Sequence, residues 1–191
     1  MEQCHYKVFK PFGMLSQMHS NDPKEKKKRF LSELFDFPTG VMPIGRLDEK
    51  SEGLLLLTSD GKLSDLVNRS GIEKDYLVQL DGMITVEALG LLKKGVDIGL
   101  SGSIYRTQPC KAIILKEISR LPLPDAKLRI GRHRPTSWIR ITIKEGKFRQ
   151  VRKMTAAVGF PTLRLIRERI GNIDLGNLEP GEVVAIDKLS P

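Results

Sequence analysis

Four consecutive leucines, at positions 54–57, form an unbroken aliphatic run as long as any in the chain, between a polar loop over 45–53 and the turn Ser59-Asp60-Gly61. A run of that length bounded by turn residues predicts a strand or core segment buried on both faces. Ahead of it, residues 6–10 alternate and stop at Pro11, which predicts a short strand and a turn through Gly13. Phe30, Leu31, Leu34 and Phe35 recur at helical spacing behind the basic run 24–29, predicting an amphipathic helix with a basic start. Beyond the leucines, Leu63, Leu66 and Val67 share a helix face that ends near Ser70-Gly71. Residues 76–80 predict a strand closed by Asp81-Gly82, and Thr85 caps a helix carrying Ala88, Leu89 and Leu92 as far as Gly95. Residues 97–115 predict two strands joined by turns, and 119–136, with Pro122, Pro124 and Pro135, a long irregular loop. The clearest alternation is 138–143, where Ile139, Ile141 and Ile143 share one face and Trp138, Arg140 and Thr142 the other. A helix over 149–158 follows, ended by Gly159, and then strands over 161–170 and 182–186. Without a βαβ rhythm, this order predicts an α+β fold with a mixed, largely antiparallel sheet. No repeat or low-complexity linker divides residues 1–191, so they form one domain, or one domain split into two lobes.

Charge narrows the partner. Thirty-two Lys and Arg against 23 Asp and Glu give a net charge of +9, which favours a polyanion, nucleic acid before an acidic membrane. No apolar run approaches a membrane span, and the first residues lack the apolar stretch of a signal peptide, so a cytoplasmic protein is expected. Cys4 and Cys110 stand far apart, and His5, His19 and His133 are equally scattered, so neither a metal site nor a cofactor is implied. No glycine-rich phosphate loop is present.

Two features point to chemistry. Asp48 lies in the polar loop just before the leucine run, and a loop acid anchored to a rigid element is how catalytic groups are usually held; on composition alone, Asp48 and Glu49 read first as solvated turn residues. On the helix over 149–158, Arg149, Arg152 and Lys153 fall in one narrow sector, opposite Val151, Met154 and Val158. A solvated basic stripe is common, but this one opens a helix, where the macrodipole disfavours positive charge, so an anion is expected there.

The motifs resemble those of the RNA pseudouridine synthases, in the branch that acts on ribosomal RNA. Gly45-Arg46-Leu47-Asp48, with residues 51–61, is similar to the family's nucleophile motif, and Lys10-Pro11-Phe12-Gly13 to its N-terminal Lys-Pro-x-Gly. Lys74-Asp75-Tyr76 with Val78 is similar to its tyrosine motif, and residues 145–154 to its arginine-containing third motif. Residues 135–138 and 155–167 look most like members acting on large-subunit (23S) ribosomal RNA. Ser51 stands where Thr is usual, and Lys147-Phe148 where Arg and a polar residue are usual. Many members carry a small basic RNA-binding domain ahead of the catalytic one; here the first catalytic strand begins by Tyr6, so no such separate domain is expected.

The resemblance implies the pseudouridine synthase fold, a central sheet flanked by helices and loops around a catalytic cleft, and isomerisation of a specific uridine without cofactor or metal. Asp48 would be the nucleophile. Arg152 would keep it ionised where burial favours protonation. Tyr76 would stack on the flipped target base or accept its proton. Lys10, Arg46, Arg140, Arg149, Lys153 and Arg164, with the 24–29 cluster, would bind RNA. The expected partners are ribosomal RNA, free or in a partly assembled large subunit, and the protein itself a monomer. A non-catalytic RNA-binding or ribosome-assembly factor on the same fold, or a synthase acting on another structured RNA, remains the alternative.

Overall fold

The computed structural model describes residues 3–69, 71–118, 120–128, 130–131 and 134–190. The expected helix end at Ser70, the first residue of the irregular loop, Ser119, and His133 lie outside the described residues. In chain order the elements are β1 (His5–Lys10), β2 (Met42–Pro43), β3 (Glu52–Thr58), α1 (Gly61–Arg69), β4 (Lys74–Asp81), α2 (Val86–Lys94) and β5 (Asp97–Leu100). They continue with β6 (Ser103–Arg106), β7 (Lys111–Leu115), β8 (Thr136–Ile143), α3 (Gln150–Ala157), β9 (Thr162–Ile170), β10 (Ile173–Asp174) and β11 (Val183–Ala185). The chain is α+β, and its sheet is mixed and largely antiparallel. It divides into two compact units, residues 1–72 with 166–191, and residues 73–165.

In the first unit the strand order is β11-β1-β3-β9. Strand β1 runs antiparallel to β3, from His5 opposite Thr58 to Lys10 opposite Gly53. All seven residues of β3 are buried, as the leucine run requires, and the period of two divides them between two cores. Leu55 and Leu57 pack with Tyr6, Val8, Met14 and Leu31, whereas Leu54 and Leu56 pack with Ile44, Val67, Ile170 and Leu189. Gly53 opens the parallel contact with β9 at φ +101°, where a Cβ would stand 2.4 Å from the Arg167 carbonyl oxygen. Only glycine fits there.

The helix expected behind the basic run 24–29 does not form. Two 3-10 turns, Pro23–Glu25 and Leu31–Glu33, replace it, with an isolated parallel bridge between Met14 and Arg29. Asp22 caps the first turn through the Lys24 N–H, and Glu33 takes both the Phe30 N–H and the Arg29 guanidinium. These local caps set two short turns in place of a continuous helix.

In the second unit β4 pairs antiparallel with β8, Tyr76 opposite Ile141, and β8 with β7. Ile139, Ile141 and Ile143 are buried while Trp138, Arg140 and Thr142 are half-buried, matching the alternation. Thr85 caps α2 by accepting the Ala88 N–H. β5 and β6 form a separate two-stranded hairpin. Strand β9 begins in this unit and ends in the first, the division falling between Leu165 and Ile166.

Candidate active site

Asp48 is held by a loop whose backbone is tied down on both sides. The Ile44 N–H donates to the Leu56 carbonyl at 2.7 Å, fixing the loop's entry to β3. Ser16, 4% exposed, accepts the Leu47 N–H at 3.0 Å and donates to the Leu47 carbonyl at 2.9 Å. On the far side the Ser51 N–H returns to the Asp48 carbonyl at 2.9 Å, and the Gly13 N–H reaches the Glu49 carbonyl at 2.8 Å. Asp48 itself is half-buried. The Glu49 carboxylate forms an ion pair with Lys28, 2.7 Å, at the surface. Arg46 is exposed beside it. The backbone that carries this carboxylate is therefore fixed by hydrogen bonds on both sides of Asp48.

Lys10 sits beneath this loop. It is fully buried, and its ammonium donates to the carbonyls of Pro11 (3.0 Å), Met14 (2.7 Å) and Glu49 (3.5 Å). Burial pushes its pKa down to about 7, opposed by Glu52, reinforced by Arg167, and opposed again by Asp48 and Glu49. A side chain so enclosed does not reach an RNA phosphate, so the contact expected of Lys10 is corrected: it fastens the turn after β1 to the loop that carries Asp48. Arg167, 3% exposed, donates from Nε to the Leu54 carbonyl at 2.7 Å.

In the second unit Tyr76 is 8% exposed on β4. Helix α3 buries Val151, Met154 and Thr155 and leaves Arg152 and Lys153 half-buried. Arg152 donates to the Thr162 carbonyl at 3.4 Å. Arg149 precedes the helix as its N-cap, in the left-handed region at φ 53°, rather than opening it as its first helical residue. The turn is stabilised by side chains: Gln150 accepts the Lys147 N–H at 2.9 Å and donates to Glu145. Glu145 also accepts the Tyr105 hydroxyl at 2.6 Å and the Gln108 N–H at 2.9 Å, and the hydrogen bond raises the Tyr105 pKa. The third motif is thereby fastened to β6 and the segment after it.

The remaining cations divide by exposure. Arg149 is exposed and Arg140 half-buried. Lys153 donates to the Gly99 carbonyl at 2.7 Å and lies 5.2 Å from the Phe148 ring centroid. Arg164 is only 2% exposed and donates to the Pro122 carbonyl at 3.0 Å, so its expected RNA contact is corrected as well; it secures the proline-containing loop. Ser16 and Glu145 were not anticipated as organising residues. A lone serine 32 positions before Asp48 carries no signal in sequence, whereas Glu145 stands within the third motif.

Among the described residues no cluster of three His, Cys, Asp or Glu side chains could hold a metal ion, and no helix is long and apolar enough to cross a membrane. The family described as RNA pseudouridylate synthase matches residues 5–157. The ribosomal large subunit pseudouridine synthase E of Xanthomonas axonopodis pv. citri is 42% identical over 173 residues, 90% of this chain and 87% of that protein. The enzyme of the same name from Vibrio parahaemolyticus is 38% identical over 175 residues, 91% of this chain and 69% of its own length. A crystal structure of a pseudouridylate synthase superposes with a TM-score of 0.76 at 29% identity, covering 97% of this chain and 70% of that one. With motif order, fold and relatives in agreement, the chain belongs to the RNA pseudouridylate synthase family and is an isomerase.

Proposed function

We propose that the protein converts a specific uridine of large-subunit ribosomal RNA to pseudouridine, with Asp48 as nucleophile. The observation that carries this reading is the loop of the half-buried Asp48, whose backbone is held by Ser16 at Leu47 and by Lys10 at Glu49, in a chain with relatives named for large-subunit RNA. In the reaction the uracil leaves ribose C1′ through N1, turns, and is rejoined through C5, with the C5 proton passing to N1 or solvent. Asp48 traps or stabilises the electron-deficient partner, with Arg152 as the cation of the candidate catalytic set. Tyr76 stacks on the base or receives the proton. Reaching the target requires flipping it out of its helix or loop. Arg46, Arg140, Arg149 and Lys153 supply cations for the RNA backbone, a contribution that salt weakens. The protein acts as a monomer in the cytoplasm, on free RNA or on a partly assembled subunit.

Incubation of the wild type and of Asp48→Asn with unmodified large-subunit RNA tests this reading. Product from the wild type alone supports it. Equal product from both proteins removes Asp48 as the nucleophile, and RNA binding with no product from the wild type on any ribosomal RNA indicates a non-catalytic binding factor.

A further inference from the structure

Beside the Asp48 loop, and wholly within the first unit, lies a shallow cavity of about 380 Å³, wide open to solvent, lined by residues that include Ser16, Gln17, Met18, His19, Pro43 and Arg46. Asp48 does not line it, so the cavity adjoins the reacting position without being that position. Two of its backbone carbonyls are engaged: that of Gln17 accepts the Leu31 N–H at 2.9 Å, and that of Met18 accepts the Ser32 hydroxyl at 2.7 Å. The lining side chains offer a ligand several kinds of contact. Met18, half-buried and packed in part against the core of Tyr6, Val8, Met14 and Leu31, and the Pro43 ring give apolar surface for the face of an aromatic ring. The Arg46 guanidinium adds a plane for stacking and a charge for phosphate. The Gln17 amide and the His19 imidazole supply donors and acceptors for the edge of a base. The volume falls near the lower end of small-ligand sites, about 300–1,000 Å³, enough to seat one base.

We propose that this cavity receives the base of a nucleotide adjoining the target uridine, and so sets the register of the RNA strand against Asp48. The proposal rests on the reading of the protein as an enzyme acting on large-subunit RNA. Two observations connect the cavity to the chemistry. Ser16 lines the cavity and clamps Leu47 through both backbone groups, so cavity wall and nucleophile loop move as one block. Arg46 is two residues from Asp48, which limits their Cα separation to about 7 Å, within reach of one step along a nucleic-acid strand. Filling the cavity with a neighbouring base thus fixes where the target base stands before isomerisation begins.

The test uses protein carrying ¹³C at the methionine methyls, titrated with the large-subunit RNA transcript that binds it most tightly, the Met18 signal being assigned by its loss in Met18→Leu. A stacked base shifts a neighbouring methyl by its ring current. The expected result is a displaced Met18 signal on RNA binding, and no displacement when the transcript is abasic at the one flanking position that fills the cavity. Met18→Ala is expected to weaken binding of the intact transcript about tenfold and of that abasic transcript not at all, the non-additivity expected of groups in contact. RNA binding with an unmoved Met18 signal, or losses that multiply, overturns the proposal. A protein that moves Met18 on binding RNA but forms no pseudouridine refutes the reaction and retains the cavity's role; one that isomerises uridine with Met18 silent does the reverse. Failure to bind RNA overturns both.

Discussion

Lys10 provides a quantitative prediction because its burial and its partners pull in opposite directions. Its folded pKa lies at about 7, against an ordinary value of 10.5. Between those values the unfolded chain binds a proton that the folded one releases, so unfolding free energy rises with pH, at up to about 1.4 kcal/mol per pH unit. Below pH 7 both states hold the proton and the cost of burying the ammonium is felt in full. Above pH 10.5 neither holds it and that cost is gone. Replacement by the isosteric Lys10→Met removes the titration, so the stability difference between the two proteins isolates it from other groups. That difference is expected to move in favour of the wild type by roughly 2 kcal/mol between pH 7 and 9, measured by urea unfolding followed by circular dichroism. A constant difference over that range would refute the reasoning. It would mean that the carbonyls of Pro11, Met14 and Glu49, with the Glu52 carboxylate, keep the ammonium charged within the fold.

Three further perturbations probe the supports of the site. Ser16→Ala leaves the buried Leu47 N–H and carbonyl without their shared partner; it is expected to lower stability by about 1–3 kcal/mol and to slow single-turnover isomerisation, and wild-type rates from a stably folded variant would show that the clamp is dispensable. Glu145→Ala releases the Tyr105 hydroxyl, so absorbance titration should show one tyrosine moving down toward its ordinary value, with the turnover rate falling more than RNA affinity; Glu145→Gln should recover part of that loss. Gly53→Ala drives a Cβ to 2.4 Å from the Arg167 carbonyl oxygen at a positive φ, and it is expected to destabilise the first unit by about 3 kcal/mol or more. A shift of less than 1 kcal/mol in urea unfolding would show that β3 and β9 separate easily.

The parts of the fold readable in the sequence are those where burial alone sets the pattern. The leucines of β3 and the alternating isoleucines of β8 have no competing interaction, and both elements form where expected. The segment over 24–35 failed because helical spacing of Phe30, Leu31, Leu34 and Phe35 carries no information about Asp22 and Glu33, whose caps break it into two turns. Arg149 was read as the first helical residue, since nothing in its identity announces a left-handed backbone held by Gln150 and Glu145. Cations misled most. Lys10 and Arg164 look like surface residues in sequence, yet both are buried and bonded to carbonyls that only the folded chain brings to them. The motifs made Asp48, Tyr76 and Arg152 candidates, but the Ser16 clamp on Leu47 is a tertiary contact with no local signature.

Nucleotide-resolution mapping of pseudouridine in ribosomal RNA, from cells lacking this protein and resupplied with either the wild type or Asp48→Asn, tests the central claim most directly. Asp48 as nucleophile predicts a single large-subunit position that is unmodified in the deletion, restored by the wild type and still unmodified with Asp48→Asn at equal protein level. Restoration by Asp48→Asn, or a ribosomal RNA map unchanged by the deletion, would contradict it.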